Sequence, residues 1–338
     1  MYPIQCIGKS KDSIGVDLIF PKDTVHFSLN SVDTRNLIRK TMQRREFLTV
    51  AATAGTVTAA SLLSVSTVNA ATVPGDQRAK AKLRFCSQLG IIPGNNTEEK
   101  LKWMKVNGFE AVEVGGLGDD YADWKKKADG AGLKIAALCI GSFGGKLVDE
   151  DEEKRKQGYD ELKVQLERAG AVGATGIVYV PLTGKPERPN WRIRELTVAM
   201  LRELGPFAAQ HNTHIILEPL RRGEAWFLRQ VSDAALIAQD ADVPGVAVLG
   251  DTYHMYTEET DDMSAFIAGG KYLKHVHLGN GTHRQLPGQD EHSFVKAMRG
   301  LKYVGYTEVV SFECGVNGDK AVEVPKSLDY LRKCWEEA

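Results

Sequence analysis

The chain has 338 residues, of which 26% are charged, 43% hydrophobic and 8% aromatic, with 33 glycines and 12 prolines. This is the composition of a globular protein and excludes disordered, collagen-like and membrane-embedded classes. A formal net charge of -1, from 43 Lys/Arg against 44 Asp/Glu, supplies no basic surface, so nucleic acid is not the expected partner and small molecules are. Five cysteines without a C-x-x-C pair argue against a zinc ribbon, a thioredoxin-like centre or a disulfide scaffold.

Residues 1–41 read as a disordered extension or a stretch upstream of the true start, because Met42 stands two residues before Arg44. Residues 42–70 carry Arg44-Arg45, then Phe47-Leu48, then an uncharged Ala/Thr/Val run closing on Val68-Asn69-Ala70. The arrangement resembles a twin-arginine export signal ending in a small-residue cleavage site. It is too rich in Gly, Ser and Thr to be a lasting bilayer anchor. The twin-arginine translocation machinery is therefore an expected partner, and the expected location is periplasmic. Residues 1–70 hold eight Lys/Arg and five Asp/Glu, so the remainder carries 35 basic against 39 acidic groups, a net charge of -4. Cys86, Cys139, Cys314 and Cys334 would fold under reducing conditions before export, and three of them sit in apolar, strand-like runs that read as buried thiols.

From Leu83 onward, short β-rich runs alternate with longer helical patterns, punctuated by Gly and Pro. Strands are expected to begin near Leu83, Phe109, Leu133, Gly176, His214, Val246, Leu273 and Tyr306. Helices are expected at Glu98 to Asn107, Asp151 to Val172, Trp191 to His211, Ser232 to Asp240 and His292 to Leu301. Eight strand-helix units in about 250 residues predict a single-domain (β/α)8 TIM barrel over residues 71–338. The alternative, a doubly wound open sheet, lacks a G-x-G-x-x-G after its first strand.

In such a barrel the C-terminal strand ends carry the chemistry. The fifth strand ends at Glu218, the sixth at Asp251, the seventh at His277 and the eighth at Glu313. Any one of these alone reads as a cap or a solvated group. Together, three carboxylates and an imidazole converging on one mouth need a cation, and the hard donor set suits Mn²⁺, with Mg²⁺ or Co²⁺ as alternatives.

These residues lie in longer runs: Glu218-Pro219-Leu220 followed by Glu224, Asp251-Thr252-Tyr253-His254-Met255 followed by Glu258-Glu259, His277-Leu278-Gly279, Arg284 with Pro287-Gly288, and Glu313. From about Leu83 to the C-terminus the chain resembles the xylose-isomerase-like barrels, and within them the ketose 3-epimerases of the tagatose and allulose type. The resemblance implies one divalent metal held by Glu218, Asp251, His277 and Glu313, with Glu218 and Glu313 exchanging the substrate proton and Glu224, His254 and Arg284 holding the sugar's oxygens. Arg221-Arg222 stand where the family often has Asn-Arg, Asn280 where an acidic residue is usual, and Arg284 comes one residue later than usual. These departures bear on the substrate and not on the ligand set.

A metal-bound carbonyl acidifies its α-proton, and a carboxylate on each side can remove and return it. The expected activity is a sugar epimerase or isomerase acting on a sugar or keto-sugar. The same site also allows a lyase or dehydratase acting on a keto-sugar or keto-inositol, or a non-catalytic exported carbohydrate-binding barrel. His254 reads as a functional loop residue, His275 as a core residue or support for a ligand, Glu113 equally as a pocket group or a cap, and Trp226 as a sugar-stacking or packing residue. A homo-oligomer is compatible with the sequence.

Overall fold

The barrel strands are short and apolar on both faces, as parallel strands must be when helices cover one side and side chains fill the other. In the computed structural model, which describes residues 6–10, 13–19, 24–30 and 75–338, eight of them close into one parallel barrel. They are β1 (Phe85–Gln88), β2 (Phe109–Val114), β3 (Lys134–Gly141), β4 (Gly176–Tyr179), β5 (Ile215–Leu217), β6 (Val246–Asp251), β7 (Leu273–Leu278) and β8 (Val310–Phe312), each paired with the next and β8 with β1. The expected (β/α)8 barrel is thus the observed fold.

Around it run α1 (Gly75–Lys80), α2 (Thr97–Val106), α3 (Tyr121–Ala131), α4 (Glu152–Val172), α5 (Asn190–Gln210), α6 (Val231–Ala241), α7 (Thr252–Glu258), α8 (Asp262–Gly269), α9 (Val295–Val304) and α10 (Lys320–Glu337). Local chemistry sets their ends. Asp151 accepts the Glu153 and Lys154 N–H groups at the start of α4, and Gly173, in the left-handed region, stops it.

Seven strands begin within two residues of the expected positions, and β8 begins four residues late. The delay has a local cause. Gly305 caps α9 in the left-handed region, the Tyr306 N–H donates to Leu301 O, and the Tyr306 hydroxyl donates to Val309 O, so the chain finishes a helix turn before it enters the sheet.

The two-residue period of the strands decides what reaches the site. In β6, Val246 and Val248 pack outward under the helices, while Ala247 and Leu249 join Ala137, Val178 and Ile216 in the lumen. Continuing that alternation puts Asp251 on the lumen face. The same parity brings Glu218 inward beyond Ile216, His275 and His277 inward in alternation with Val276 and Leu278, and Glu313 inward beyond Ser311.

The chain divides into two units, Met1–Ala71 and Thr72–Ala338. Within the first, Cys6–Ser10, Ser13–Ile19 and Thr24–Asn30 form a three-stranded antiparallel sheet, within the stretch expected to be a disordered extension or to lie upstream of the true start. The expected signal at residues 42–70 lies outside the described residues. Among the described residues no helix is long and apolar enough to cross a membrane.

Candidate active site

Glu218, Asp251, His277 and Glu313 arrive at one depth because their strands are in register: His277 pairs with Asp251 across β6 and β7 and with Ser311 across β7 and β8. One donor atom from each of the four lies within 4.8 Å of all the others. His277 Nδ1 is 2.6 Å from Glu313 Oε2 and 3.4 Å from Glu218 Oε1. Yet Nδ1 and Glu218 Oε1 are buried without a hydrogen bond of acceptable geometry. Burial opposes a charge on His277, but Glu113 and Glu313 outweigh it and raise its pKa well above the usual value, so a cation entering here would take the place of a proton on Nδ1.

That arrangement fits a divalent cation. Donors about 2.0–2.2 Å from one ion stand roughly 3–4 Å apart, close to the spacing found here. The charge balance agrees. Burial above all, with the neighbouring carboxylates adding to it, pushes Glu218 up to about 7 and Asp251 up to about 6, so both carboxyls would ionise more readily beside a bound cation. Glu313 is the exception: burial opposes its ionisation, but His277 and Arg284 outweigh it and hold the carboxyl down to about 2.

The other three expected site residues also reach the mouth. Arg284 adopts a left-handed backbone with φ 51°, which turns its guanidinium inward, with Nη2 2.9 Å from Asp251 Oδ2 and 2.7 Å from Glu313 Oε2. Asn280 builds that turn, its side-chain oxygen accepting the His283 and Gln285 N–H groups.

His254 does not lie in a loop, as the sequence reading placed it. Asp251 is the N-cap of α7, accepting the Tyr253 N–H at 2.9 Å, and His254 is in the first turn of that helix, 1% exposed. Its Nε2 stands 3.5 Å from Asp251 Oδ2, while its Nδ1 accepts the Arg221 N–H at 3.3 Å. Burial, with Arg284 nearby, pushes His254 down to about 3, so the ring is neutral near pH 7. Glu224 is 3.9 Å from His254 Nδ1 and bonded to Arg221 Nε at 2.8 Å.

Glu113 is not a helix cap. Its Oε2 is 2.7 Å from His275 Nε2 and 3.0 Å from His277 Nε2, and its Oε1 accepts from Gln88 Nε2 at 2.8 Å. Gln88 and Cys139, whose Sγ is 3.9 Å from Glu313 Oε1, were not foreseen at the site. Strand parity was the available signal, since each follows a lumen residue, Cys86 or Ala137, by two positions. Trp226 remains 45% exposed, flanked by Lys185 and Arg229 over its ring.

A cavity of about 410 Å³ lined by Gln88, Glu113, Trp124, Cys139 and Glu313 adjoins the cluster. A larger one of about 890 Å³ opens at the N-terminal ends of β1 and β2, among Arg84, Glu110 and Trp335. The larger cavity lies at the opposite end of the barrel from the carboxylates, and the Arg84–Glu110 pair is part of its charged lining.

A family profile described as xylose isomerase-like TIM barrel matches residues 101–334. The 3-dehydro-D-guloside 4-epimerase of Escherichia coli K12 is 30% identical over 254 residues, spanning 71% of this chain and 95% of its own. The apo crystal structure of 3-keto-D-glucoside 4-epimerase from E. coli superposes with a TM-score of 0.69 at 28% identity, over 75% of this chain and all of that one. D-psicose 3-epimerase from Clostridium cellulolyticum H10, solved with D-tagatose, gives 0.68 at 20% identity over 75% and 99% of the two chains, a likeness of fold.

Proposed function

The chain belongs to the xylose isomerase-like TIM barrel family and is an isomerase-class enzyme, and from that premise we propose that it is a divalent-metal-dependent epimerase of a keto-sugar, free or glycosidic. One observation carries the reading: Glu218 and Glu313 approach the same imidazole from β5 and β8, three places apart around the eight-strand ring. A sugar carbon held between them is flanked by a carboxylate on each side.

Glu218, Asp251, His277 and Glu313 would hold the ion, for which Mn²⁺ suits the mostly oxygen donor set. When bound, it supplies Lewis-acid stabilisation of the negative charge that develops on the substrate oxygens as the α-proton leaves. The protein's own groups do the rest. One carboxylate removes the proton α to the carbonyl, leaving an enediolate, and the other delivers a proton to the opposite face, inverting that carbon. Arg284 donates to the oxygens on the Glu313 side, and His254 and Glu224 hold hydroxyls on the other. Buried His254 is neutral, so it offers one N–H and does not add a second cation to the mouth.

Solvent deuterium incorporation into a panel of keto-sugars and keto-glycosides, with and without Mn²⁺, tests the reading. Metal-dependent exchange with an inverted product is expected. Loss of water or an alcohol would favour a lyase on the same site, and sugar binding without exchange a non-catalytic barrel. We also propose export by the twin-arginine route on the strength of residues 42–70. Replacing Arg44 and Arg45 by Lys is expected to trap the precursor in the cytoplasm, and unaltered export would refute the route.

A further inference from the structure

The metal ligand set ends at four residues, but a second group of ionisable side chains lies directly behind it. Glu113, His275 and His277 are all buried in the barrel lumen, and all are close enough to one another to hold an ion of their own. Their geometry is that of hydrogen bonds instead: His275 Nε2 and His277 Nε2 both face the single oxygen Glu113 Oε2, at 2.7 and 3.0 Å. The second oxygen, Oε1, is taken by Gln88 Nε2 at 2.8 Å, from the residue paired in register with Glu113 across β1 and β2. Three donors thus converge on one carboxylate.

A carboxylate only accepts, so both imidazole Nε2 atoms that bond to it carry hydrogen. A ligating His277 ring is neutral, and with Nε2 carrying its hydrogen the lone pair falls on Nδ1, the nitrogen that faces Glu218 and Glu313. His275 and His277 meet edge to face at 81° with centroids 4.9 Å apart, so each limits the rotation of the other. Gln88 prevents the carboxylate from swinging away.

We propose that Glu113, held by Gln88 and shared with His275, is a positioning residue that sets the tautomer and direction of His277 and thereby tunes the affinity of the cluster for its divalent ion. The inference rests on the reading of His277 as a metal ligand. A carboxylate behind a ligating imidazole locks its orientation and raises its basicity, and removing such a partner weakens metal affinity by about 10- to 100-fold. Sequence separation concealed the device: Glu113 lies 162 and 164 positions from its two partners.

The test compares wild type and Glu113→Gln after chelator treatment, titrating Mn²⁺ and Co²⁺ by calorimetry, recording the Co²⁺ absorption spectrum and measuring the melting temperature of the metal-free chains. Gln keeps the volume and removes the charge. The expected result is a loss of metal affinity of at least about tenfold and an altered Co²⁺ spectrum, with the metal-free melting temperature unchanged. Unaltered affinity overturns the inference. Unaltered affinity with a lowered melting temperature overturns it too, by showing that Glu113 only supports packing. Should the Gln variant fail to fold, Gln88→Leu carries the same test, with a several-fold loss expected and no loss overturning the inference. If wild type itself binds neither ion, the metal reading under the proposed function falls, and that outcome is visible before any variant is compared.

Discussion

Arg284 Nη2 stands 2.9 Å from Asp251 Oδ2, so a guanidinium shares the carboxylate that the metal would claim. Arg284 and a divalent cation therefore repel one another across Asp251, even as the arginine offsets part of the cluster's negative charge. At an effective dielectric near 20, charges about 4 Å apart interact by roughly 4 kcal/mol, and partial solvent exposure reduces that further.

The first prediction follows from this pair. Arg284→Met is expected to tighten Mn²⁺ binding by about tenfold while lowering turnover, because the substrate loses a donor. The titration belongs at pH 8, since Arg284 also lowers the Asp251 pKa and its removal strengthens competition from protons. Weaker metal binding at that pH would show that the guanidinium orients the carboxylates more than it competes for them.

Asp251 has two duties, and Asp251→Ala separates them. Loss of the cap on the Tyr253 N–H is expected to cost about 1 kcal/mol of stability, with metal content falling to background. Full metal occupancy in the purified variant would remove Asp251 from the ligand set.

The strand pattern was readable in the sequence, and with it the four polar residues at or beside the C-terminal ends of β5 to β8. What could not be read was everything set by partners distant in the chain. The place of Glu113 near the end of its strand allowed a pocket group or a cap equally, and nothing local showed that it meets His275 and His277. Helix α7 escaped because its seven residues are too few for helical periodicity, so His254 looked like part of a loop. The left-handed backbone of Arg284 had no local signal either, since it depends on the Asn280 side chain four residues earlier.

Glu313→Gln keeps the size of the proton carrier and removes its basicity. Solvent exchange into the keto-sugar is expected to fall by about 10²- to 10⁴-fold with the fold unchanged by circular dichroism. Turnover at the wild-type rate would assign the proton to another group.

Glu258 is expected to give stability a pH dependence of its own. Its buried side chain accepts the Arg222 N–H at 2.7 Å and Arg222 Nε at 2.8 Å, tying the segment that carries Arg221 and Glu224 to the end of α7. Burial opposes ionisation, but Arg222 prevails and holds the carboxyl below its usual range. A folded-state pKa below the unfolded value of about 4.3 means stabilisation that is present above that pH and lost as pH falls through the folded value. Glu258→Gln should therefore lower the melting temperature at pH 7 and change it little at acid pH. An equal drop at both would show that charge is not the basis of the tie.

Gly250 lies beside Asp251, but its missing side chain points outward, where an added Cβ would meet Phe266 Cε1 at 2.6 Å and Met255 Sδ at 3.1 Å. Phe266, on α8, is fully buried and has no room to swing, while Met255 belongs to α7, the helix that Asp251 caps. Gly250→Ala is therefore expected to cost about 1–3 kcal/mol by overpacking. The strain has two outlets, the α8 contact or the start of α7, and only the second disturbs the metal site. Gly90→Ala is the control, since a Cβ there meets nothing within 4 Å, and its effect should stay within about 0.5 kcal/mol. Thermal melts of both variants, paired with Mn²⁺ titration, distinguish the outlets. A destabilised Gly250→Ala with normal metal affinity places the strain in α8, whereas a joint loss shows that the close packing of α7 against β6 is what holds Asp251 in position.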